Sequence, residues 1–174
     1  KYTNRNIEEQ SKIGANFLLN IGGESERKIG VLTNSAYKTI VAMIGILFSR
    51  NVFCLLDFHT PTFRLKNQID NLDYLIIDSH YNGNDQFAEL ELNNCNLLMY
   101  DDVFISQKKI RGKTFYSYHC DDPIYLYFTS GPTGEAKGII GKNKSLAHFV
   151  LWEIKELNIT ENDTFSQITS PSFD

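Results

Sequence analysis

The sequence predicts an α/β protein with a mostly parallel sheet and helices on both faces. Three observations carry that prediction. Apolar runs of strand length recur along the chain without polar alternation, as strands buried on both faces require. Between them lie segments whose apolar residues fall at helical spacing. Finally, 42% hydrophobic and 13% aromatic residues can furnish a core, which excludes an intrinsically disordered chain.

The elements follow in order. Residues 7–19 place Ile7, Gly14, Ala15, Leu18 and Leu19 on one stripe, with Glu8, Glu9 and Lys12 between them, so a helix is expected. Lys28–Leu32 is a short apolar strand. Ser35 can cap the next helix, Ala36–Phe48, whose apolar residues surround the cylinder as expected for packing on several sides. Residues 51–56 read as a fully buried strand ending at Asp57. After the loop at Pro61, residues 62–72 form a polar amphipathic helix, and Tyr74–Ile77 gives another strand.

Residues 79–95 are polar and Asn-rich, Asn96–Met99 is a short strand, and residues 107–113 suit an exposed basic turn or hairpin. The last third reads as strand 124–128, a Gly-rich loop, strand 138–140, helix 144–157 and strand 164–169. No internal repeat or linker divides the chain, so residues 1–174 are read without an internal boundary.

Charge and composition exclude several classes. With 17 Lys+Arg against 21 Asp+Glu the net charge is −4, and no basic cluster offers a phosphate backbone neutralising groups, so no nucleic-acid partner is expected. The longest apolar run, residues 40–48, falls far short of the about 20 residues a membrane-spanning helix needs. The N-terminal residues lack an apolar signal core, and Cys54, Cys95 and Cys120 are widely spaced and odd in number. Together these suit reduced thiols and a cytoplasmic protein. His59, His80, His119 and His148 show no ligand spacing, so no metal site is expected. Phe149 and Trp152 read as core or interface packing. Asp101, Asp102 and the Lys108-Lys109 turn read as solvated charges.

The Gly-rich segment carries the chemistry. In Thr129-Ser130-Gly131-Pro132-Thr133-Gly134-Glu135-Ala136-Lys137-Gly138, glycines permit tight turns and close approach of backbone N–H groups to a ligand. Thr129, Ser130 and Thr133 add hydroxyls, and Lys137 adds a cation. The set suits a polyphosphate. A P-loop starting at Gly131 would need Gly at position 136 and Ser or Thr at 138, where Ala136 and Gly138 stand, so that pattern fails.

The segment instead resembles the phosphate-binding signature of the AMP-forming adenylation superfamily, which includes acyl-CoA synthetases, luciferases and the adenylation domains of nonribosomal peptide synthetases. Thr129, Ser130, Gly131, Thr133, Gly134, Lys137 and Gly138 match. Ala136 replaces a usual Pro. Pro132 replaces a hydroxyl residue, removing a side-chain O–H and a backbone N–H. Residues 3–18 are similar to the opening helix of a peptide-synthetase adenylation domain, with Asn4 in place of an aromatic residue. In residues 41–65, Asp57, Pro61, Arg64 and Leu65 fit the family pattern while Phe58 departs from it. Residues 170–174 resemble the start of its Phe-Asp-x-Ser element.

The resemblance implies that the chain is an N-terminal portion of the large subdomain of an adenylation domain. The implied activity is ATP-dependent formation of an aminoacyl-adenylate, then loading onto the phosphopantetheine thiol of a carrier domain. ATP, Mg2+ and carrier-borne phosphopantetheine are the implied cofactors. An amino acid, the downstream remainder of the domain and the carrier domain are the implied partners. Thr129, Ser130, Gly131, Thr133, Gly134 and Lys137 correspond to the phosphate-binding residues, and Asp174 to the carboxylate that pairs with the substrate ammonium. The family's catalytic lysine corresponds to no residue here, so the isolated chain is expected to be inactive. Pro132 supports the alternative of a degenerate or scaffold module. An acyl-CoA synthetase-like ligase is disfavoured by Phe173-Asp174.

Overall fold

A computed structural model of the chain describes residues 2–21, 26–57, 59–79, 92, 94–105, 117–130 and 136–166. Helix α1 (Asn4–Ile21) begins three residues before the apolar stripe does. Thr3 and Asn6 explain the early start: the Thr3 backbone N–H donates to Asn6 Oδ1 (3.0 Å) and the Asn6 N–H donates to Thr3 Oγ1 (3.2 Å). This reciprocal pair satisfies donors that a helix N-terminus leaves open. Strand β1 (Lys28–Leu32) follows. Helix α2 (Ala36–Phe48) is capped by Ser35, whose hydroxyl accepts from the Lys38 N–H.

Strand β2 (Val52–Leu55) is buried throughout, as its unbroken apolar run requires. Helix α3 (Thr62–Ile69) ends earlier than its sequence pattern suggests, because Asp70 and Asn71 form a turn into strand β3 (Tyr74–Ile77). Strand β4 (Asn96–Met99) leads directly into a five-residue helix, α4 (Tyr100–Phe104), which the sequence reading did not include. One helical turn is too short to show a period.

Strand β5 (Pro123–Ser130) and strand β6 (Ala136–Lys142) form an antiparallel pair that runs further than expected at both ends. Helix α5 (Asn143–Glu156) follows β6 without a loop. Residues 164–166 are not strand, so the expected strand there is absent as far as it is described. The expected basic turn at 107–113 and the rest of the expected last strand lie outside the described residues.

The six strands run in the order β4-β3-β1-β2-β5-β6, parallel except for β6. A mostly parallel α/β sheet is therefore the architecture. Alternation along each strand separates two cores. Ile29, Val31, Phe53, Leu55 and Ile76 face α1, α2 and α4, where Leu18, Ile46 and Phe104 meet them. Leu32, Val52, Cys54, Leu75 and Ile77 face α3, beneath Leu65, Ile69 and Leu72. Ser11 of α1 donates to the Val41 carbonyl of α2 (3.0 Å), a buried bond between the two helices that cover one face.

Candidate functional site

The stem of the Gly-rich loop is a regular ladder. Thr129 and Ser130 close β5, Ala136 and Lys137 open β6, and they pair as Thr129 with Lys137 and Ser130 with Ala136. Residues 131–135 join the strands. Gly131, Pro132, Thr133 and Gly134 lie outside the described residues, and so does Asp174. Of the candidate phosphate-binding residues, the structure thus brings together Thr129, Ser130 and Lys137.

Directly paired residues share a sheet face, so Thr129 and Lys137 project to the same side, with Lys137 exposed. The Thr129 hydroxyl donates a long bond to the Lys137 carbonyl, 3.4 Å. By alternation the same face carries Tyr125 and Tyr127, whose ring centroids are 5.2 Å apart. The motif's last glycine has a packing role: a Cβ on Gly138 would stand 3.1 Å from Leu126 Cδ1 and 3.4 Å from Phe128 Cε1.

Position follows from topology. Because β5 is parallel to β2, its final residues emerge at the same edge as the carboxyl ends of β1, β2 and β3. Open α/β sheets bind ligands at that edge, in the crevice where strand order reverses. Here the reversal lies between β1 and β3, whose next strands in the chain lie on opposite sides of that pair. Lys38 Nζ stands 2.9 Å from Asp78 Oδ1, 3.7 Å from Asp101 Oδ1 and 4.8 Å from the centre of the Tyr100 ring. Asp101 is therefore not the merely solvated charge the sequence suggested. Burial raises the Tyr100 hydroxyl pKa, with neighbouring Tyr37, Asp101, Asp78 and Tyr2 acting in the same direction. The Gly-rich loop departs from the same carboxyl edge, at the end of β5.

Other titratable groups sit away from that edge. Burial pushes the Cys54 thiol up to about 12, and burial with Asp73 and Asp70 nearby pushes Cys95 up to about 12. Cys120 is exposed. Among the described residues no three His, Cys, Asp or Glu side chains are grouped to hold a metal ion, and no helix is long and apolar enough to cross a membrane.

Residues 1–174 match the family model described as AMP-binding enzyme. Gramicidin S synthase 2 of Brevibacillus brevis is 28% identical over 174 residues, all of this chain but 4% of that protein. The chain therefore spans a small fraction of the length of the curated relatives it matches. Among solved structures, the N-terminal subdomain of Klebsiella oxytoca NpsA in complex with 3-hydroxybenzoyl-AMSN shares the fold. The TM-score is 0.81 at 20% identity, covering 99% of this chain and 42% of that one. The AMPPNP-bound form of the nonribosomal peptide synthetase FmoA3 matches with TM-score 0.78 at 19% identity, covering 96% of this chain and 17% of that one. On the match of the whole chain, on the Thr129–Lys137 stem at the carboxyl edge and on the shared fold, the chain belongs to the AMP-binding enzyme family and resembles the adenylation domains of nonribosomal peptide synthetases.

Proposed function

We propose that this chain supplies the ATP phosphate-binding loop and one end of the amino-acid pocket of an amino-acid-activating domain in a nonribosomal peptide synthetase. The observation that carries the reading is the stem. An antiparallel ladder holds Thr129 and Lys137 opposite each other on one face, at the sheet edge where α/β proteins bind ligands. Hydroxyls of Thr129, Ser130 and Thr133, backbone N–H groups at Gly131 and Gly134, and the Lys137 ammonium form a donor set suited to the β- and γ-phosphates.

In the proposed reaction the amino acid's carboxylate oxygen attacks the α-phosphorus of ATP. The bond from that phosphorus to the bridging oxygen breaks, and pyrophosphate leaves. Donors on the leaving oxygens stabilise the charge that develops there. Mg2+ belongs with the phosphates of the incoming ATP. Carrier-borne phosphopantetheine would supply the thiol to which the acyl group passes, with AMP as the leaving group. Asp174 pairs with the substrate's α-ammonium, which a partly desolvated pocket must neutralise. The chain alone is proposed to be inactive, since it accounts for the phosphates and one end of the substrate only.

The test is amino-acid-dependent ATP–pyrophosphate exchange by the full-length parent. A bond to a charged group contributes about 1.5–3 kcal/mol, and exposure of Lys137 places it at the lower end, so Lys137→Ala should lower kcat/KM for ATP about tenfold or more. Asp174→Asn should weaken use of the amino acid by about 2 kcal/mol or more while leaving the KM for ATP unchanged. Unaltered exchange by both variants would defeat the proposal.

A further inference from the structure

The ladder between β5 and β6 changes register just below the stem of the Gly-rich loop. Pro123 pairs with Lys142 and Tyr125 with Gly141, so β5 advances two residues where β6 advances one, and Ile124 is the extra residue. From Tyr125 to Ser130 the pairing is regular and sets Thr129 opposite Lys137. Carrying the Pro123–Lys142 register forward without the extra residue defines the competing arrangement. There Thr129 would meet Ala136, Phe128 would meet Lys137, and Lys137 would pass to the face opposite Thr129, because a one-residue slip exchanges faces. The extra residue decides on which side of the sheet the ammonium lies.

A fit between rings and glycines selects the shifted register. Gly141 is buried, and a Cβ on it would lie 1.8 Å from Tyr125 Cζ and 2.1 Å from Tyr125 Cε2, so the ring occupies the space of a side chain. On the other face Gly138 lies opposite Phe128, where a Cβ would stand 3.4 Å from Phe128 Cε1. Aromatic rings laid over cross-strand glycines pin the register of an antiparallel pair. Tyr125 and Phe128 are three residues apart, as are Gly138 and Gly141, and in no other register do both glycines meet an aromatic residue of β5. In the competing one, Tyr125 would meet the side chain of Ile140 and Gly141 would meet Ile124. Tyr125 is also seated from its other side, since it pairs with Phe53 of β2, ring centroids 6.2 Å apart. We infer that Tyr125 and Gly141, neither of which belongs to the Thr129–Gly138 motif, are positioning residues for the phosphate loop. Their contact holds the shifted register and so keeps Lys137 on the face of Thr129. The assignment rests on the phosphate-binding reading, which it extends to two residues outside the motif.

The test uses the full-length parent. Thr129→Cys and Lys137→Cys are introduced together, and formation of a bridge between the two positions under mild oxidation is followed by peptide mapping. Cross-strand neighbours on one face come within bridging reach, whereas residues on opposite faces do not. Adding Gly141→Val, which displaces the ring, should slow bridging at least tenfold. Tyr125→Leu, which removes the ring and adds no bulk, should slow it severalfold, and Tyr125→Phe should leave it unchanged because the ring is kept. In ATP–pyrophosphate exchange without the cysteines, Gly141→Val should raise the KM for ATP at least tenfold and leave the KM for the amino acid unaltered, while Tyr125→Phe keeps both. A merely destabilised protein would instead lose kcat with both KM values intact. Bridging equally fast in all four backgrounds would overturn the inference, whatever happens to kcat. Slowed bridging with an unmoved KM for ATP would uphold the register device and count against the phosphate-binding reading alone.

Discussion

Phe104 shows how single residues set the spacing of a layer. Its ring is buried between α1 and α2, where a Cβ on Gly14 would lie 1.9 Å from Phe104 Cε1 and a Cβ on Gly45 2.8 Å from the same atom. The two glycines are the space the ring occupies. Gly14→Ala should therefore destabilise the fold by about 1–3 kcal/mol in urea unfolding, the usual cost of overpacking. Phe104→Leu in the same chain should recover part of the loss, because residues in contact do not act additively. At the loop, Pro132→Thr restores an O–H and an N–H. If the loop binds phosphate as proposed, the variant should lower the parent's KM for ATP severalfold, equivalent to about 1 kcal/mol for a bond gained. An unchanged or higher KM would mean the loop has adapted to proline. The thiols divide sharply: Cys120 is exposed, whereas Cys54 and Cys95 are buried with pKa values pushed up to about 12. Native labelling near neutral pH should modify Cys120 and spare the other two until unfolding.

At the scale of elements, legibility followed burial. Strands β1, β2 and β3 and helix α2 were readable because two covered faces demand continuous apolar runs, and a multiply packed helix demands apolar residues all round. The phosphate-binding candidates were legible as residue types, but their stem was not. Thr129, Ser130, Ala136 and Lys137 belong to ladder hydrogen bonds, which side-chain pattern does not report. Helix α4 was invisible for the opposite reason, since one turn has no period and its Tyr100 and Phe104 read as ordinary apolar residues. The Lys38–Asp78 pair was also missed, being forty residues apart in sequence and joined only by the register of β1 and β3. Lys38→Met leaves the Asp78 carboxylate buried without its ammonium, so a loss of about 3 kcal/mol is expected, at the lower end for a broken pair because Lys38 keeps some solvent contact. A second ion cluster holds the start of α5. Lys144 and then Lys142 bond the exposed Asp121 carboxylate and lower its pKa. A lowered folded pKa gives support that is complete above the ordinary carboxylate range of about 4 and is lost as pH falls through the lowered value. Protection of amides in the first turn of α5, taken relative to the intrinsic exchange rate at the same pH, should fall only below that range, and Asp121→Asn should remove that fall.

For the whole molecule, the described residues cover the sheet on both faces at its centre and leave the β6 end bare. Helices α1, α2 and α4 close one side of β1, β2 and β3, and α3 closes the other, whereas α5 beside β6 buries none of its residues. From sequence, Phe149 and Trp152 read as core or interface packing. In this chain they are half-exposed neighbours with ring centroids 6.0 Å apart, because what an apolar helix packs against is a property of the fold around it. Large apolar patches drive association, and a net charge of −4 over 174 residues offers little repulsion against it. The isolated 174-residue chain is thus expected to associate reversibly, its sedimentation coefficient rising with concentration. The double variant Ile139→Lys/Leu151→Glu places a charge on each part of the patch and should hold the isolated chain monomeric at the same concentrations. A chain that stays monomeric without the substitutions would show that this surface is ordinary exterior.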